Sequence, residues 1–236
     1  MITKSMSDEE LFRALKTEID ELGWNLIKHK GQAYRKVVLR QRLFPLYFKP
    51  FEVKSKSKNT WLVIPVAHSR KDADNSQFML LCKLDSPEGI YWYSIGADYF
   101  TREADETISV LAPHMLRRMN ERLNLHILKS EDLLVEFIKR EPKNYMSYPP
   151  ESKQFFHLVN GGIVLGEVVG RRWIHKTFID DESFSKVNKM KGDRLISGQK
   201  RLESIKQLLD SSDNKAAVLE FIDSTFGSYK HEFKLE

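Results

Sequence analysis

The sequence predicts an α+β protein, an antiparallel β-sheet core flanked by N-terminal and C-terminal helices. Three observations carry this expectation. A helical apolar stripe opens the chain. Short β-rich segments separated by Gly, Pro and Asn turns fill its middle. Helical stripes return from Asp181 onward. With 236 residues, 41% of them hydrophobic, the chain can bury a sizeable core. The expected division is a main α+β domain over residues 1–180 and a helical extension over 181–236 packed on it.

Ser7-Asp8-Glu9-Glu10 has the form of a capping box, with Ser7 as N-cap and Glu10 reaching back. Leu11, Leu15, Ile19, Leu22 and Leu26 then recur at helical spacing, which predicts a helix from about Asp8 to Lys28 that stops near Gly31. A shorter helix is expected over 32–42, with Tyr34, Val37 and Val38 inward. Residues 46–54 alternate as an edge strand containing Pro50, and 61–66 read as a buried strand interrupted at Pro65. HSRKDADNS reads as a loop. Strands at 77–84 and 90–95 flank DSPEG and form a hairpin. A polar connection at 98–105 leads to a short strand at 107–111.

Pro113 suits the first position of the next helix, and Ser130 is the expected N-cap of the one after it, which ends near Pro142. NYMSYPPES reads as a loop. Segments 154–159, 163–169 and 173–179 form a three-strand meander whose first turn is Asn160-Gly161. Beyond Asp181, stripes at Phe184–Met190, Leu202–Leu209 and Ala217–Ile222 predict three helices.

The polar, acidic N-terminus, MITKSMSDEE, does not have the form of a signal peptide, and no apolar run approaches the ~18 residues of a membrane span. The expectation is a cytoplasmic protein without a membrane partner. Cys82, the one cysteine, lies in the apolar run FMLLCKL and is expected to be buried and inert. No HExxH, phosphate-cradling glycine loop or GxSxG elbow is present, so no metal and no cofactor is expected.

The net charge is +5, but its distribution is uneven. Between Lys28 and Lys58, seven Lys and three Arg face one acid, Glu52, a local +9 that leaves −4 for the rest. Lys30, Arg35, Lys36, Arg40 and Arg42 are therefore candidate contacts to RNA or DNA, as are Arg171 and Arg172 in the last turn of the meander. A solvated basic surface is the competing reading.

The helix at 113–125 gathers His114, Arg117, Arg118, Glu121 and Arg122 at fixed spacing. A neutral His in its first turn can act as a base, and neighbouring Arg can grip a phosphate. Such a set suits metal-independent RNA cleavage: the His takes the 2′-OH proton and the Arg stabilise the phosphorus oxygens. Exposed ion pairs on a structural helix are the alternative.

The run PHMLRRMNERLNL, followed by SEDLLVEFIKRE and by FFHLVNGGIVLGEVVG with IHKTFI, resembles small bacterial domains with a His-x-x-x-Arg-x-x-Glu-Arg helix. Those domains are similar to RelE-type toxins and other ribonucleases of the barnase–EndoU–colicin–RelE group. The resemblance covers residues 107–180. It implies that the meander faces the helix and that His114, Arg118, Arg122 and His175 form a catalytic set. His157, Tyr148 and the Arg171–Arg172 pair are further candidates for its second half. A protein partner or scaffold role without catalysis remains open, as does a small-molecule pocket built from Trp61, Tyr91, Trp92 and Tyr93.

Overall fold

The alternation of one strand decides how the protein is layered. In β3, Thr60–Ala67, successive side chains point to opposite faces of the sheet. Trp61 and Val63 join a core with Leu11 and Leu15 of α1, Asp8–Lys30. Leu62 and Ile64 join a second core with Met115 and Met119 of α3, Pro113–Arg122, and with Leu134 and Phe137 of α4, Ser130–Arg140. The sheet is thus sandwiched between α1 on one face and α3 and α4 on the other. A computed structural model describes residues 2–30, 33–74, 77–95, 107–140, 145–147 and 153–183.

The remaining elements are α2, Arg35–Arg40; β1, Leu46–Tyr47; β2, Phe51–Lys54; β4, Gln77–Ser86; β5, Gly89–Ile95; β6, Ile108–Leu111; β7, Tyr145–Ser147; β8, Gln154–Val159; β9, Gly162–Val169; and β10, Arg172–Asp180. They build one 10-stranded sheet in the order β1-β3-β4-β5-β6-β10-β9-β8-β7, with β2 also on β3. All its pairs are antiparallel except β6–β10. The α+β expectation therefore holds. The N-terminal flanking helix is present, and the expected C-terminal helices lie outside the described residues. The parallel β6–β10 pair splices the meander into the sheet begun by β1–β5, a long-range contact that local periodicity does not encode.

The capping box forms: Ser7 N–H donates to Glu10 Oε2 at 2.9 Å, and Glu10 N–H donates to Ser7 Oγ at 3.3 Å. Several local expectations need correction. Pro65 does not interrupt β3. The amide of Phe48 donates to Pro65 O, so the Pro nitrogen lies on the β1–β2 side of the strand and the pairing with β4 continues past it. The single strand expected at 46–54 is broken into β1 and β2 around Pro50. HSRKDADNS contains a 3-10 turn, Arg70–Ala73, capped by Ser69. The expected loop at NYMSYPPES contains β7, an edge strand three residues long. In α2, Val38 is buried while Val37 is 44% exposed.

Asp8 ties the first helix to the last turn of the meander. Its Oδ1 accepts from Arg172 Nε at 2.6 Å and its Oδ2 from the Arg171 amide at 2.9 Å. Arg172 also donates to Met6 O at 2.7 Å, and Arg171 pairs with Glu9 at 2.8 Å. Gly170, at φ +59°, permits this approach, because a Cβ there would collide with Asp8 Oδ2. Asp8→Ala is expected to cost about 1–3 kcal/mol by leaving a part-buried guanidinium without its carboxylate. Urea unfolding measures this, and a loss below ~0.5 kcal/mol, the level of an exposed pair, would reject the tie.

Candidate functional site

Helix α3 starts where β6 ends, with Ala112 as a cap that offers no side-chain bond and Pro113 in the first turn. The β4–β5 hairpin closes on it tightly: a Cβ on Gly89, at φ +127°, would lie 2.8 Å from the Cβ of Pro113. Met115, Leu116 and Met119 face the core. That leaves His114 and Arg117 exposed and Arg118 half-buried beside them.

The three side chains meet. Arg118 Nε lies 3.4 Å from His114 Nε2, and Arg117 Nη2 lies 3.1 Å from His114 Nδ1. A guanidinium can only donate, and a neutral imidazole has only one accepting nitrogen. One of the two contacts is therefore a hydrogen bond and the other a proximity between two donors. Among the described residues, no carboxylate forms an ion pair with Arg117 or Arg118. Desolvation first, then the charges of Arg118 and Arg117, lower the His114 pKa. The ring is consequently neutral near pH 7, between two cations.

Arg122 reaches the same region by its field on His114, but its Nη1 donates to Phe178 O at 2.7 Å, joining the end of α3 to β10. Arg117, one turn on from His114, stands outside the catalytic set that the sequence predicts. The i,i+3 spacing was the available signal.

His175 lies on the same side of the sheet as α3, but inside the protein. It is 2% exposed, as is His157 on β8. The two ring centroids are 5.7 Å apart, and Phe137 of α4 closes over them at 6.1 and 6.5 Å. Phe155 packs on His175 at 4.9 Å across Gly166, where any Cβ would overlap the Phe155 ring. His175 Nδ1 lies 3.4 Å from Val110 O. Burial pushes His157 down to about 3 and His175 to about 4. This imidazole pair belongs to the core, so His175 sits apart from the solvent-facing side of α3.

Arg171 and Arg172 are turned to α1, on the face of the sheet opposite α3. Arg35 is paired with Asp74 at 2.6 Å. Lys36, Arg40 and Arg42 are exposed around α2, which packs on the 3-10 turn rather than on α3. The side chain of Lys30 and all of Tyr148 lie outside the described residues. The aromatic pocket does not form: Trp61 and Trp92 are fully buried, in the two cores on opposite faces of the sheet. Cys82 is buried, and burial raises its thiol to about 12. Among the described residues, no group of three or more His, Cys, Asp or Glu is placed to hold a metal, and no helix is long and apolar enough to cross a membrane.

Comparison of the chain with protein-family models finds no match, and neither curated proteins nor solved structures yield one.

Proposed function

We propose that the exposed face of α3 binds the phosphodiester backbone of nucleic acid and that His114 serves there as the base in metal-independent RNA cleavage. One observation carries the reading: a neutral imidazole held between two guanidiniums with which, among the described residues, no carboxylate forms an ion pair. Like charges gathered on one helix face cost free energy until an anion joins them. A phosphate accepting from Arg117 and Arg118 would draw both off the ring and free its accepting nitrogen. The resemblance of the helix pattern to RelE-type ribonucleases supports the same reading.

The chemistry is an internal transfer. His114 removes the 2′-OH proton, the 2′ oxygen bonds to phosphorus, and the bond from phosphorus to the 5′ oxygen breaks. The departing oxygen takes its proton from water, and the product is a 2′,3′-cyclic phosphate. Arg117 and Arg118 stabilise the negative oxygens of the transition state. DNA, lacking the 2′-OH, would bind without being cut. A non-enzymatic role for the same face predicts binding of both polymers and cutting of neither.

Labelled RNA and DNA incubated with the protein at two salt concentrations test this. His114→Ala is expected to lower RNA cleavage by about 10²-fold or more, the usual worth of a general base, with binding retained. Arg117→Ala with Arg118→Ala is expected to weaken binding of both polymers and to flatten the salt dependence by about two phosphate contacts. Cleavage that survives His114→Ala would remove the base assignment. Failure to bind either polymer at low salt would remove the whole reading.

A further inference from the structure

The corner around α2 lies apart from the α3 face and carries a charged and apolar surface of its own. Residues 33–49 and 68–74 carry Arg35, Lys36, Arg40, Arg42, Lys49, Arg70 and Lys71 against Asp72 and Asp74, a net +5 equal to that of the whole chain. Asp74 is spent on Arg35, and Asp72 accepts from the amides of His68 and Ser69. Arg70 Nε donates to Gln41 O at 3.0 Å, which brings the 3-10 turn against the end of α2. Among the described residues, no carboxylate forms an ion pair with Lys36, Arg40 or Arg42. Lys36 and Arg40 stand four residues apart on the face opposite buried Val38.

Exposed aliphatic side chains sit among these cations. Val37 and Leu39 are each 44% exposed, and Leu43, on the loop after α2, is 85% exposed. They form no groove. Val37 and Leu39, two apart, flank the helix on opposite sides of Val38, and Leu43 projects beyond it. A helical peptide needs a continuous seam to dock in, and a nucleic acid backbone needs no projecting leucine. A fluid interface accepts separate apolar side chains that project between basic ones. We infer that this corner is a peripheral contact for an anionic lipid surface, with Leu43 entering the headgroup region and Lys36, Arg40 and Arg42 meeting lipid phosphates and carboxylates. The sequence expectation of no membrane partner rested on the lack of a spanning segment, which a surface contact does not need.

Co-sedimentation of the full chain with vesicles tests the contact. One set is phosphatidylcholine alone, and the other contains equal parts phosphatidylcholine and phosphatidylserine. The wild type is expected to bind the anionic set only, and less as salt rises. Each cation near such a surface is worth about a fivefold factor, so Arg40→Glu with Arg42→Glu is expected to weaken binding by well over tenfold. Leu43→Ser keeps every charge and, at so exposed a position, leaves the fold intact; it is expected to weaken vesicle binding several-fold and leave RNA binding unchanged. Lys139→Glu, an exposed charge reversal on α4, is the control and is expected to change vesicle binding little. Equal binding to both vesicle sets, no effect of Leu43→Ser, or a Lys139→Glu loss matching that of the double variant would each overturn the inference. So would a double variant that loses RNA binding while keeping the vesicles, which would give the corner to nucleic acid.

Discussion

Lowering the pH from 7 to 5 is expected to remove about 4 kcal/mol of folding stability through the His157–His175 pair. Both rings are 2% exposed and pack between Phe137, Phe155 and the Val110 carbonyl, none of which can neutralise an imidazolium. Burial is the main cause of both depressed values, about 3 and about 4, and the neighbouring His175 adds repulsion at His157. An unfolded chain takes up these protons near pH 6.5, which the folded chain refuses until pH 4 or below. Stability is therefore complete above about pH 6.5 and falls as pH drops toward the folded values. Two protons at about 1.4 kcal/mol per pH unit each, over about 1.5 units, give the stated loss.

Urea midpoints at pH 7, 6 and 5 measure this. Replacing both residues by Phe is expected to flatten the dependence between pH 7 and 5. Lowered His114 contributes with the same sign but is exposed, so its share is small. A wild type equally stable at pH 5 and 7 would mean that the pair opens to water without cost. A slope that persists in the double Phe variant would place the loss in other groups.

The same pair marks where sequence reading succeeds and where it stops. His157 and His175 were correctly placed on strands of a meander, because alternation and the Asn160-Gly161 turn are local signals. Their burial was not legible. It depends on α4 closing over the strands and on Gly166 letting Phe155 lie across β9, both set by tertiary packing. The place of Arg171 and Arg172 in the fold was not legible for a related reason. Their position in the turn was read correctly, but the parallel β6–β10 pair brings that turn to Asp8 of α1, across the sheet from His114. The grouping of His114 with Arg118 was legible because i,i+4 neighbours on one helix need no tertiary knowledge. Proximity within one helix was legible in the sequence, and proximity that needs two elements to meet was not.

Loss of the Glu18 carboxylate is expected to be among the most damaging single changes to the fold. Glu18 is 6% exposed on the inner face of α1. Its Oε1 accepts from Asn59 Nδ2 and its Oε2 from Trp61 Nε1, each at 2.6 Å. Asn59 passes the connection on: its Oδ1 accepts from the Ile2 amide at 3.0 Å, and its own amide donates to Ser55 Oγ at 3.2 Å. One carboxylate thus joins α1, the start of β3 and the chain's N-terminal residues, all within the core shared by α1 and the sheet. Glu18→Ala leaves two buried donors without an acceptor, each costing about 1–3 kcal/mol, and opens a cavity beside fully buried Trp61. A total near 3–5 kcal/mol corresponds to a fall in Tm of about 10–15 °C for a chain of this size. Glu18→Gln fills the cavity and keeps one acceptor, but its amide NH₂ must then face a second donor. It is expected to recover about half of the loss. Faster exchange of the Ile2 amide in both variants would show that the break propagates through Asn59. A Glu18→Gln variant as stable as wild type would show that one of the two contacts is dispensable, and a Tm drop below ~2 °C for Glu18→Ala would show that water replaces the carboxylate.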